Sequence, residues 1–476
     1  MTTNGRTPRQ AANAKIVATL GPASSAADVV RSLIGAGADA FRLNFSHGAA
    51  GWHHDMAASV RAAASDAPVA IIADLQGPRI RIGALPEPVV VSKGSEVVLE
   101  AESQCAGASG VLPTTYDALA SDVGPGDRIL IDNGLVELSV LECRDGQVRC
   151  RVTIGGQVGS RKGINLPDVA VSAPALTEKD KEDAETAVRF GTDYIALSFV
   201  RSADDVSSLK SLLRHHDADI PVIAKIERAE AVEHIGSIIA AADGVMVARG
   251  DLGVELPQEK VPAIQKRIIA LANAAGKPVI TATEMLQSMV TSPRPTRAEA
   301  SDVANAILDG TDAVMLSGET AVGRYPVHAT EMMERITREA ETIRRELEPP
   351  ARVPEPDDFT DAVADAACAA ARQLDAAAIV VFTMSGRTAR LVAQRRPNAR
   401  LAALTPSVET RRRLSLVWGV VPLLLPAAGD TEKMTADGDR LLKEKGFVRA
   451  GDIVVIVGGA GPSAGATNFT KIHTVR

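Results

Sequence analysis

Short apolar runs that end in charged or hydroxyl residues alternate with amphipathic stretches along most of the chain. In Pro221–Glu227 a proline opens the run and charge comes only at its end, which predicts a buried strand. Because residues two apart on a strand share one side, Lys225 and Glu227 should project together, opposite Ile226. A plain ion pair is one interpretation, since buried charges are usually paired. Similar polar ends on other predicted strands favour a functional site.

Eight runs of this kind predict the strands of one barrel. They are Lys15–Pro22, Ala38–Phe45, Val69–Asp74, Tyr194–Phe199, Pro221–Glu227, Gly244–Asp251, Pro278–Glu284 and Ala313–Leu316. Helical patterns between them include Ala26–Ala36, Gly51–Ala64, Glu178–Phe190 with Thr177 as N-cap, Val261–Ala275 and Arg297–Leu308. Repeated strand–helix units predict an α/β fold, a (β/α)8 TIM barrel. The alternative, a doubly wound open sheet, would require a glycine-rich dinucleotide motif after the first strand, where the chain has Gly21-Pro22.

Two further regions follow different patterns. From Pro78 to Ser172, short alternating segments separated by Gly, Pro and Asp predict an inserted all-β lid domain, called here the β insertion. Its strands are predicted at Val89–Val91, Glu96–Glu100, Arg128–Ile131, Leu135–Leu141 and Val148–Ile154. A proline-rich charged linker, Glu348–Asp358, precedes a predicted three-layer α/β domain, the C-terminal domain. Its strands are predicted at Ala378–Thr383, Arg400–Leu404, Val420–Leu425, Ile453–Val457 and Asn468–Thr474.

These patterns divide the chain into a barrel (1–77 and 173–348), the β insertion (78–172) and the C-terminal domain (349–476). A length of 476 residues agrees with two or three domains. A net charge of −7 argues against a nucleic-acid partner, and 3% aromatic residues argue against base-stacking platforms. The cysteines lack metal-site spacing and are interpreted as buried residues or isolated thiols of a reducing compartment. No signal peptide or membrane-spanning run is found, so we predict no membrane partner and a cytoplasmic protein.

Active sites of such barrels lie at the C-terminal ends of the strands. Those ends carry Arg42, Asn44, Ser46, Asp74, Arg81, Lys225, Glu227, Arg249, Asp251, Thr283, Ser317 and Glu319. Two carboxylates on adjacent strands, Glu227 and Asp251, suit Mg²⁺, which binds one or two protein carboxylates plus water and substrate oxygens. The cations Arg42, Arg81 and Lys225 suit phosphoryl oxygens. Metal and cations without an activated nucleophile indicate phosphoryl transfer.

Simpler interpretations stay open for single residues. Asp74 and Arg42 are equally consistent with a structural pair inside the barrel. Thr283 taken alone is more often a satisfied hydroxyl than a proton donor, and Arg249 more often orients neighbouring carboxylates than touches substrate. Gly250–Gly253 could begin a short helix whose free N–H groups bind an anion. Two histidine pairs are interpreted as helix-surface residues without a role: His53-His54 and His215-His216.

Several motifs together give the chain a family resemblance. They begin at Lys15 (KIVATLGPAS), Arg42 (RLNFSH), Ile223 (IAKIE), Met246 (MVARGDLG), Thr283 (TEML), Pro293 (PRPTRAE) and Met315 (MLSGET). With these motifs the chain resembles the pyruvate kinases from about Lys15 to its C-terminus. The resemblance implies a barrel, a β lid and a regulatory C-terminal domain. It also implies phosphoryl transfer from phosphoenolpyruvate to ADP, giving pyruvate and ATP, in a homotetramer.

The resemblance assigns the catalytic roles residue by residue. Lys225 would neutralise the transferring phosphoryl group, and Arg42 would hold the same phosphate. Glu227 and Asp251 would bind Mg²⁺ or Mn²⁺. The substrate carboxylate would meet Thr283 and the backbone of Gly250 and Asp251, and Thr283 would help to protonate the enolate through water, Ser317 and Glu319. His47, Arg81 and, from the β insertion, Lys162 would contact the nucleotide phosphates.

One departure from the family pattern concerns a monovalent cation. The resemblance places such a site at Asn44, Ser46, Asp74 and Leu75, with a glutamate following the Gly-Pro pair; here that position is Arg79. Because a guanidinium supplies a permanent positive charge, we expect that K⁺ is not required. Arg79 could also lie elsewhere, near the hinge of the β insertion.

The C-terminal domain carries a candidate phosphate nest, Thr383-Met384-Ser385-Gly386-Arg387-Thr388, between a strand and a helix. The resemblance implies that this loop binds a phosphorylated metabolite effector; a capped turn without ligand is the alternative. The segment from Gly458 to Thr467 is a weaker candidate for the same pocket. Two other functions stay open at this point: a Mg²⁺-dependent enolate-handling lyase without nucleotide, and a catalytically dead effector-binding scaffold.

Overall fold

The computed structural model describes residues 12–105, 110–344, 359–427, 431–459 and 467–476. The predicted linker Glu348–Asp358 and most of the segment between Gly458 and Thr467 lie outside these ranges. The described residues form a closed barrel, a six-stranded and a two-stranded sheet in the β insertion, and a five-stranded sheet in the C-terminal domain.

The elements form four groups along the chain. The first group is β1 (Lys15–Thr19), α1 (Ala27–Ala36), β2 (Ala40–Asn44), α2 (Ala50–Ala64) and β3 (Ala70–Asp74). The β insertion contains β4 (Val89–Val91), β5 (Glu96–Ala101), β6 (Val111–Thr114), α3 (Leu119–Asp122), β7 (Arg128–Ile131), β8 (Val136–Arg144), β9 (Gln147–Ile154), β10 (Gly156–Val158) and β11 (Ile164–Asn165).

The barrel then resumes. Its second part is α4 (Glu178–Arg189), β12 (Tyr194–Leu197), α5 (Ala203–His215), β13 (Val222–Ile226), α6 (Ala229–Glu233), α7 (Ile235–Ala241), β14 (Gly244–Ala248), α8 (Arg249–Glu255), α9 (Val261–Ala274), β15 (Val279–Ala282), α10 (Arg297–Asp309), β16 (Ala313–Leu316), α11 (Gly318–Ala321) and α12 (Pro326–Arg344). The C-terminal group is α13 (Phe359–Gln373), β17 (Ala378–Phe382), α14 (Arg387–Gln394), β18 (Arg400–Thr405), α15 (Val408–Leu414), β19 (Val420–Leu424), α16 (Thr431–Glu444), β20 (Ile453–Gly459) and β21 (Thr467–Thr474).

The predicted barrel is confirmed: its strands close in the order β1-β16-β15-β14-β13-β12-β3-β2, and every neighbouring pair is parallel. The strand residues are buried except Arg42 and Asn44, which are partly exposed at the end of β2. Since all strands run the same way, their polar C-terminal ends meet at one mouth.

Local signals explain where several barrel helices begin. The Thr177 hydroxyl accepts a hydrogen bond from the Asp180 N–H in a capping box, which confirms Thr177 as the N-cap of α4. The predicted strand Gly244–Asp251 was too long. It ends at Ala248, and Arg249 already belongs to α8. The predicted short helix around Gly250 therefore exists and begins one residue earlier.

The β insertion has its own apolar core and contains three strands that the alternation did not predict, β6, β10 and β11. These strands have two to four residues, and each contains a residue type that is depleted in strands: Pro113, Gly156 or Asn165. The two chain crossings that connect the insertion to the barrel pair with each other: Ile82 N–H donates to Lys162 O (2.8 Å), and Ile164 N–H donates to Ile80 O (2.9 Å). This paired connection is called the neck.

The C-terminal domain has the sheet order β19-β18-β17-β20-β21, with β21 antiparallel. Helix α15 faces the end of the barrel opposite the mouth, where Arg412 pairs with Asp193 (2.9 Å) just before β12. Leu416, after α15, is buried against residues of the barrel interior. Within the described ranges, no helix is both long and apolar enough to cross a membrane.

Candidate active site

Lys225 is the most heavily paired cation at the mouth. Its Nζ lies 2.9 Å from Glu227 Oε1 and 3.1 Å from Asp74 Oδ1, and it donates to Ser198 Oγ at 2.6 Å. Burial alone would lower the pKa of Lys225, but Asp74 and Glu227 outweigh it and raise that pKa. Lys225 therefore stays charged in a buried position on the cavity wall. An ion pair with Glu227 is present, as the simpler interpretation held, but it is part of a larger network.

Asp74 joins this network to strand β2. Its other oxygen pairs with Arg42 Nε, so the predicted structural pair of Asp74 and Arg42 also exists. Burial would raise the pKa of Asp74, but Arg42 and Lys225 together lower it, which keeps the carboxylate ionised. The Nη1 of Arg42 donates to Thr19 Oγ1 (3.3 Å). Arg42 stays partly exposed and lines the cavity, so its Nη2 can still meet an anion.

Glu227 and Asp251 line the same cavity on neighbouring elements. Burial raises the pKa of Glu227, Lys225 lowers it, and the charge of Asp251 raises it further. A carboxylate whose ionisation is disfavoured by a second carboxylate beside it fits a site where a cation binds both. Among the described residues no group of three or more His, Cys, Asp or Glu side chains could hold a metal. A site with two protein carboxylates suits Mg²⁺, which keeps water and substrate ligands.

Thr283 and α8 form a second cluster at the mouth. Gly250 N–H donates to Thr283 Oγ1 (2.7 Å), and the Thr283 hydroxyl donates to Ala282 O (2.7 Å). Thr283 and Glu284 both have positive φ, 67° and 55°, a rare conformation that often marks functional loops. Arg249 binds Asp302 (2.7 Å) and Thr283 O (2.9 Å), so it holds the loop after β15 in place. The prediction that Arg249 orients neighbouring carboxylates applies to Asp302.

The loop after β16 contributes Ser317 and Glu319. The buried Glu319 carboxylate accepts the N–H groups of Leu286 (2.9 Å) and Ser317 (2.7 Å), which joins the loops after β15 and β16. The buried Ser317 hydroxyl has no hydrogen-bond partner among the described residues. Ser317 is not among the described residues that line the cavity, so this hydroxyl lies behind the cavity wall.

A cavity of about 320 Å³ lies between the barrel mouth and the β insertion. Predicted site residues that line it are Arg42, Ser46, Arg81, Lys225, Glu227 and Asp251. Residues that the sequence did not single out also line it: Ser198, Phe199, Arg228, Glu255, Asn133 and Arg161. Ser198 had a signal, since it lies at a predicted strand end. Glu255 had no such signal, because it lies at the end of helix α8 and the pattern considered only strand ends.

The three predicted nucleotide contacts behave differently. Arg81 lines the cavity. The His47 side chain is largely exposed. Partial desolvation by its neighbours lowers its pKa first, and the charges of Arg79, Arg81 and Arg42 lower it further, which places His47 near these arginines. Lys162 is not among the cavity-lining residues within the described chain; its Nζ pairs with Asp132 at 2.8 Å.

The proposed monovalent-cation ligands already have partners. Asn44 Oδ1 accepts Ser46 N–H (3.1 Å), both Asp74 oxygens face cations, and Leu75 O accepts the Ser198 hydroxyl (2.7 Å). Arg79 lines the same cavity. Burial lowers the pKa of Arg79, whereas nearby carboxylates, Asp251 first, raise it in opposition. This position agrees with the expectation that the Arg79 guanidinium lies at the site, in place of a monovalent cation.

His53 corrects one prediction. It is buried, and its ring stacks on Phe45 at 4.0 Å, whereas His54, His215 and His216 are exposed as predicted. Burial lowers the pKa of His53 to about 4, so the ring is neutral near pH 7. One helix can present two adjacent residues to different environments, which a doublet of histidines does not reveal.

The candidate effector loop forms a capped turn. Gly386 has φ 80° and donates its N–H to Thr383 Oγ1 (2.9 Å). Thr388 Oγ1 lies 2.6 Å from Thr467 Oγ1, while Ser385 and Arg387 are exposed. This geometry agrees with both interpretations of the loop, a phosphate nest and a turn without ligand.

Comparisons with known proteins identify the family. The models "Pyruvate kinase, barrel domain" and "Pyruvate kinase, alpha/beta domain" match residues 11–330 and 361–473. "Pyruvate kinase 2" of Synechocystis sp. is 45% identical over 474 residues, 97% of this chain and 79% of that protein. Pyruvate kinase of Mycobacterium tuberculosis (strain H37Rv) is 44% identical over 464 residues, 97% of this chain and 98% of that protein. Pyruvate kinase of Geobacillus stearothermophilus is 45% identical over 470 residues, 97% of this chain and 80% of that protein. The chain therefore belongs to the pyruvate kinase family of phosphotransferases.

Proposed function

We propose that this enzyme transfers the phosphoryl group of phosphoenolpyruvate to ADP, which gives pyruvate and ATP. The observation that carries the proposal is the buried Lys225, held by Glu227, Asp74 and Ser198 on the wall of a cavity that Arg42 and Arg81 also line. Fixed cations of this kind stabilise the charge that develops on a transferring phosphoryl group.

Glu227 and Asp251 would hold Mg²⁺ or Mn²⁺. When bound, the metal neutralises negative charge on the phosphoryl oxygens. Lys225 and Arg42 hold the same phosphate from the barrel wall. The backbone of Gly250 and Asp251, at the start of α8, receives the substrate carboxylate, since N–H groups at a helix start favour an anion. The Gly250 N–H donates to Thr283 Oγ1 in this structure, so the carboxylate would have to take over that hydrogen bond.

Thr283 takes part in protonation of the enolate carbon. A threonine hydroxyl is a weak acid, so its proton must be replaced through a relay. The unpartnered Ser317 hydroxyl supports such a relay, because it can exchange hydrogen bonds with water. Glu319 fixes the Ser317 backbone and thereby positions the relay.

The nucleotide phosphates meet Arg81, His47 and Lys162. His47 lies on the barrel side, and Arg81 lies in the neck of the β insertion; the charge of Arg81 acts on His47, and Arg81 also lines the cavity. Lys162 would have to leave Asp132 to reach a phosphate; its side chain is 44% exposed, which leaves room for this movement. Arg79 supplies the charge of the monovalent cation, so K⁺ is not required.

Regulation and assembly extend this proposal. The loop Thr383–Thr388 binds a phosphorylated metabolite that activates the enzyme, and the subunits form a homotetramer in the cytoplasm. Exposed Ser385 and Arg387 beside the backbone N–H groups that start α14 support an anion site. The division into barrel, β insertion and C-terminal domain at 77/78, 172/173 and 348/349 remains part of the proposal.

A coupled assay of ATP formation from phosphoenolpyruvate and ADP tests the function. We expect Mg²⁺-dependent ATP formation. Consumption or formation of an enolate acid without any need for ADP would favour a lyase. Effector binding without turnover would favour a dead scaffold.

A further inference from the structure

The neck fixes where the β insertion can hinge. Residues 80–82 pair with residues 161–164 through Ile82 N–H to Lys162 O (2.8 Å) and Ile164 N–H to Ile80 O (2.9 Å). Since both crossings are hydrogen-bonded to each other, they move together with the insertion. The chain that follows the neck, Asn165–Val171, is called the return segment. It stays with the insertion, because Asn165 pairs with Leu130 of β7 and because Leu166, Val169 and Val171 belong to the insertion's apolar core. Any hinge must therefore lie closer to the barrel on both crossings, before Ile80 and after Val171.

Arg228 grips the return segment from the barrel. Its Nη2 donates to Leu166 O (3.3 Å) and Val169 O (3.2 Å), and the residue is 9% exposed. The Glu255 carboxylate lies 3.7 Å from the same Nη2, and the Asn165 side chain is close enough to lower the pKa of Glu255. One buried guanidinium nitrogen is therefore shared between two backbone carbonyls of the return segment and a carboxylate of the barrel. Hydrogen bonds from buried charged groups are among the stronger ones in proteins.

The two gripping residues lie beside the two proposed metal ligands. Arg228 follows Glu227 directly at the end of β13, and Glu255 lies one helical turn after Asp251 on α8. Residues four apart share a helix face, so Asp251 and Glu255 point to the same side. All four side chains line the cavity.

The neighbours of Glu255 shift its pKa in opposite directions. Burial raises its pKa to about 7; Arg228 and Asn165 lower the pKa, while Asp168 of the return segment and Asp251 of its own helix raise it. Arg228 and Asn165 thus favour the carboxylate form that burial disfavours, and Glu255→Gln removes the negative charge beside Arg228.

We propose that Arg228 and Glu255 are positioning residues that set the β insertion over the cavity and transmit the occupancy of Glu227 and Asp251 to it. The coupling rests on the proposed function; the grip on the return segment does not. When phosphoenolpyruvate and metal fix the ends of β13 and α8, Arg228 and Glu255 are fixed with them, and the return segment becomes more rigid. ADP, which must fit between the insertion and the barrel, then meets an insertion that is already held in position.

Hydrogen–deuterium exchange of the full-length protein tests the grip. In the parent, exchange of residues 165–171 should slow when Mg²⁺ and phosphoenolpyruvate are added. In Arg228→Gln and Glu255→Gln, the ligand-free exchange should rise about tenfold, and the response to ligand should disappear. Arg228→Lys, which keeps the charge but loses the forked geometry, should be intermediate.

Steady-state kinetics separates positioning from general damage. Both glutamine variants should raise KM for ADP about fivefold or more, because ADP binds between the β insertion and the barrel and needs the insertion in place. KM for phosphoenolpyruvate should stay within about twofold, because its proposed contacts belong to the barrel. The matched control is Glu230→Gln, which makes the same chemical change 3.9 Å from Arg228 Nε. It should behave as the parent in both measurements.

Unchanged exchange of the return segment in Arg228→Gln and Glu255→Gln would overturn the inference, as would a loss of protection equally large in Glu230→Gln. If the parent forms no ATP but the variants still exchange faster without ligand, the grip stands and the proposed function fails. If Arg228→Gln does not fold, Arg228→Lys and Glu255→Gln carry the test.

Discussion

At the scale of single residues, Lys225 is proposed to neutralise the transferring phosphoryl group. Its Nζ is held between Asp74 and Glu227, and charge on the transferring group develops in the transition state. Lys225→Met should therefore lower kcat about a thousandfold and change KM for phosphoenolpyruvate much less. Lys266→Met, at an exposed lysine on α9, is the control. A Lys225→Met enzyme that keeps a tenth or more of the parental kcat would contradict the proposal that Lys225 neutralises the transferring phosphoryl group.

Glu227 makes a separate prediction about the metal. Glu227→Gln keeps the size of the side chain and its contact with Phe199 N–H (2.7 Å in the parent) but removes the charge opposite Asp251. The Mg²⁺ concentration that gives half-maximal rate should rise about tenfold or more. The measurement is a Mg²⁺ titration at saturating substrates, and an unchanged midpoint would contradict the ligand assignment.

Arg79 gives the third prediction at this scale. Because a tethered guanidinium faces Asp251, Asp74 and Glu227, the parent should show the same initial rate in tetramethylammonium buffer with or without KCl, at constant ionic strength. Arg79→Glu should create a K⁺ requirement or lower the K⁺-free rate about tenfold. Arg31→Glu, an exposed substitution on α1, controls for charge alone. Tenfold stimulation of the parent by K⁺ would refute the replacement.

At the scale of elements, periodicity predicted every barrel strand but not every end. Strand ends such as Ala248 depend on where the chain turns into a helix, and this turn is set by contacts between elements. The strand-end rule found Lys225, Glu227 and Asp251, because parallel strands bring their ends together. It missed Glu255, which lies at the end of α8. The sequence also could not show that Lys162 pairs with Asp132, because the two residues are distant along the chain and meet only in the folded protein.

Helix α15 shows how one element joins two domains. Its consecutive arginines contact the three loops that precede β3, β12 and β13: Arg411 binds Asp66, Arg412 binds Asp193, and Arg413 donates to Asp219 O. The opposite ends of these three strands carry Asp74, Ser198 and Lys225. Asp193 is the buried member of this set. It accepts hydrogen bonds from Ile71 N–H (2.8 Å) and Arg61 (2.6 Å) in addition to Arg412.

Removal of Asp193 should therefore be costly. Asp193→Ala leaves two arginines and a backbone N–H without their acceptor, and we expect a loss of about 3 kcal/mol in the free energy of unfolding. Asp219→Ala is the matched control, because Arg413 uses only the backbone carbonyl there; it should change stability by less than about 0.5 kcal/mol. Urea denaturation of both variants measures the difference. Equal stability of the two would mean that α15 does not depend on the Asp193 network.

At the scale of the whole molecule, the candidate effector loop and the cavity lie on opposite sides of the barrel strands. The Thr410 hydroxyl of α15 donates to Met384 O in the effector loop (2.8 Å), so this one helix contacts both the loop and the closed end of the barrel. The described residues that line the cavity all belong to the barrel and the β insertion. A change confined to the effector loop should thus leave the basal reaction intact.

Ser385→Glu tests this separation. A carboxylate in the loop repels a phosphate, so activation by a phosphorylated metabolite should disappear, while kcat and KM without effector stay within about twofold of the parent. Activation is first measured in the parent with a panel of sugar phosphates and nucleotides, and Ser207→Glu, an exposed substitution on α5, serves as the charge control. A Ser385→Glu enzyme that responds normally would show that the loop is a turn without ligand. Loss of basal activity would instead show that the C-terminal domain supports the barrel mouth even without effector, contrary to the separation seen in the cavity.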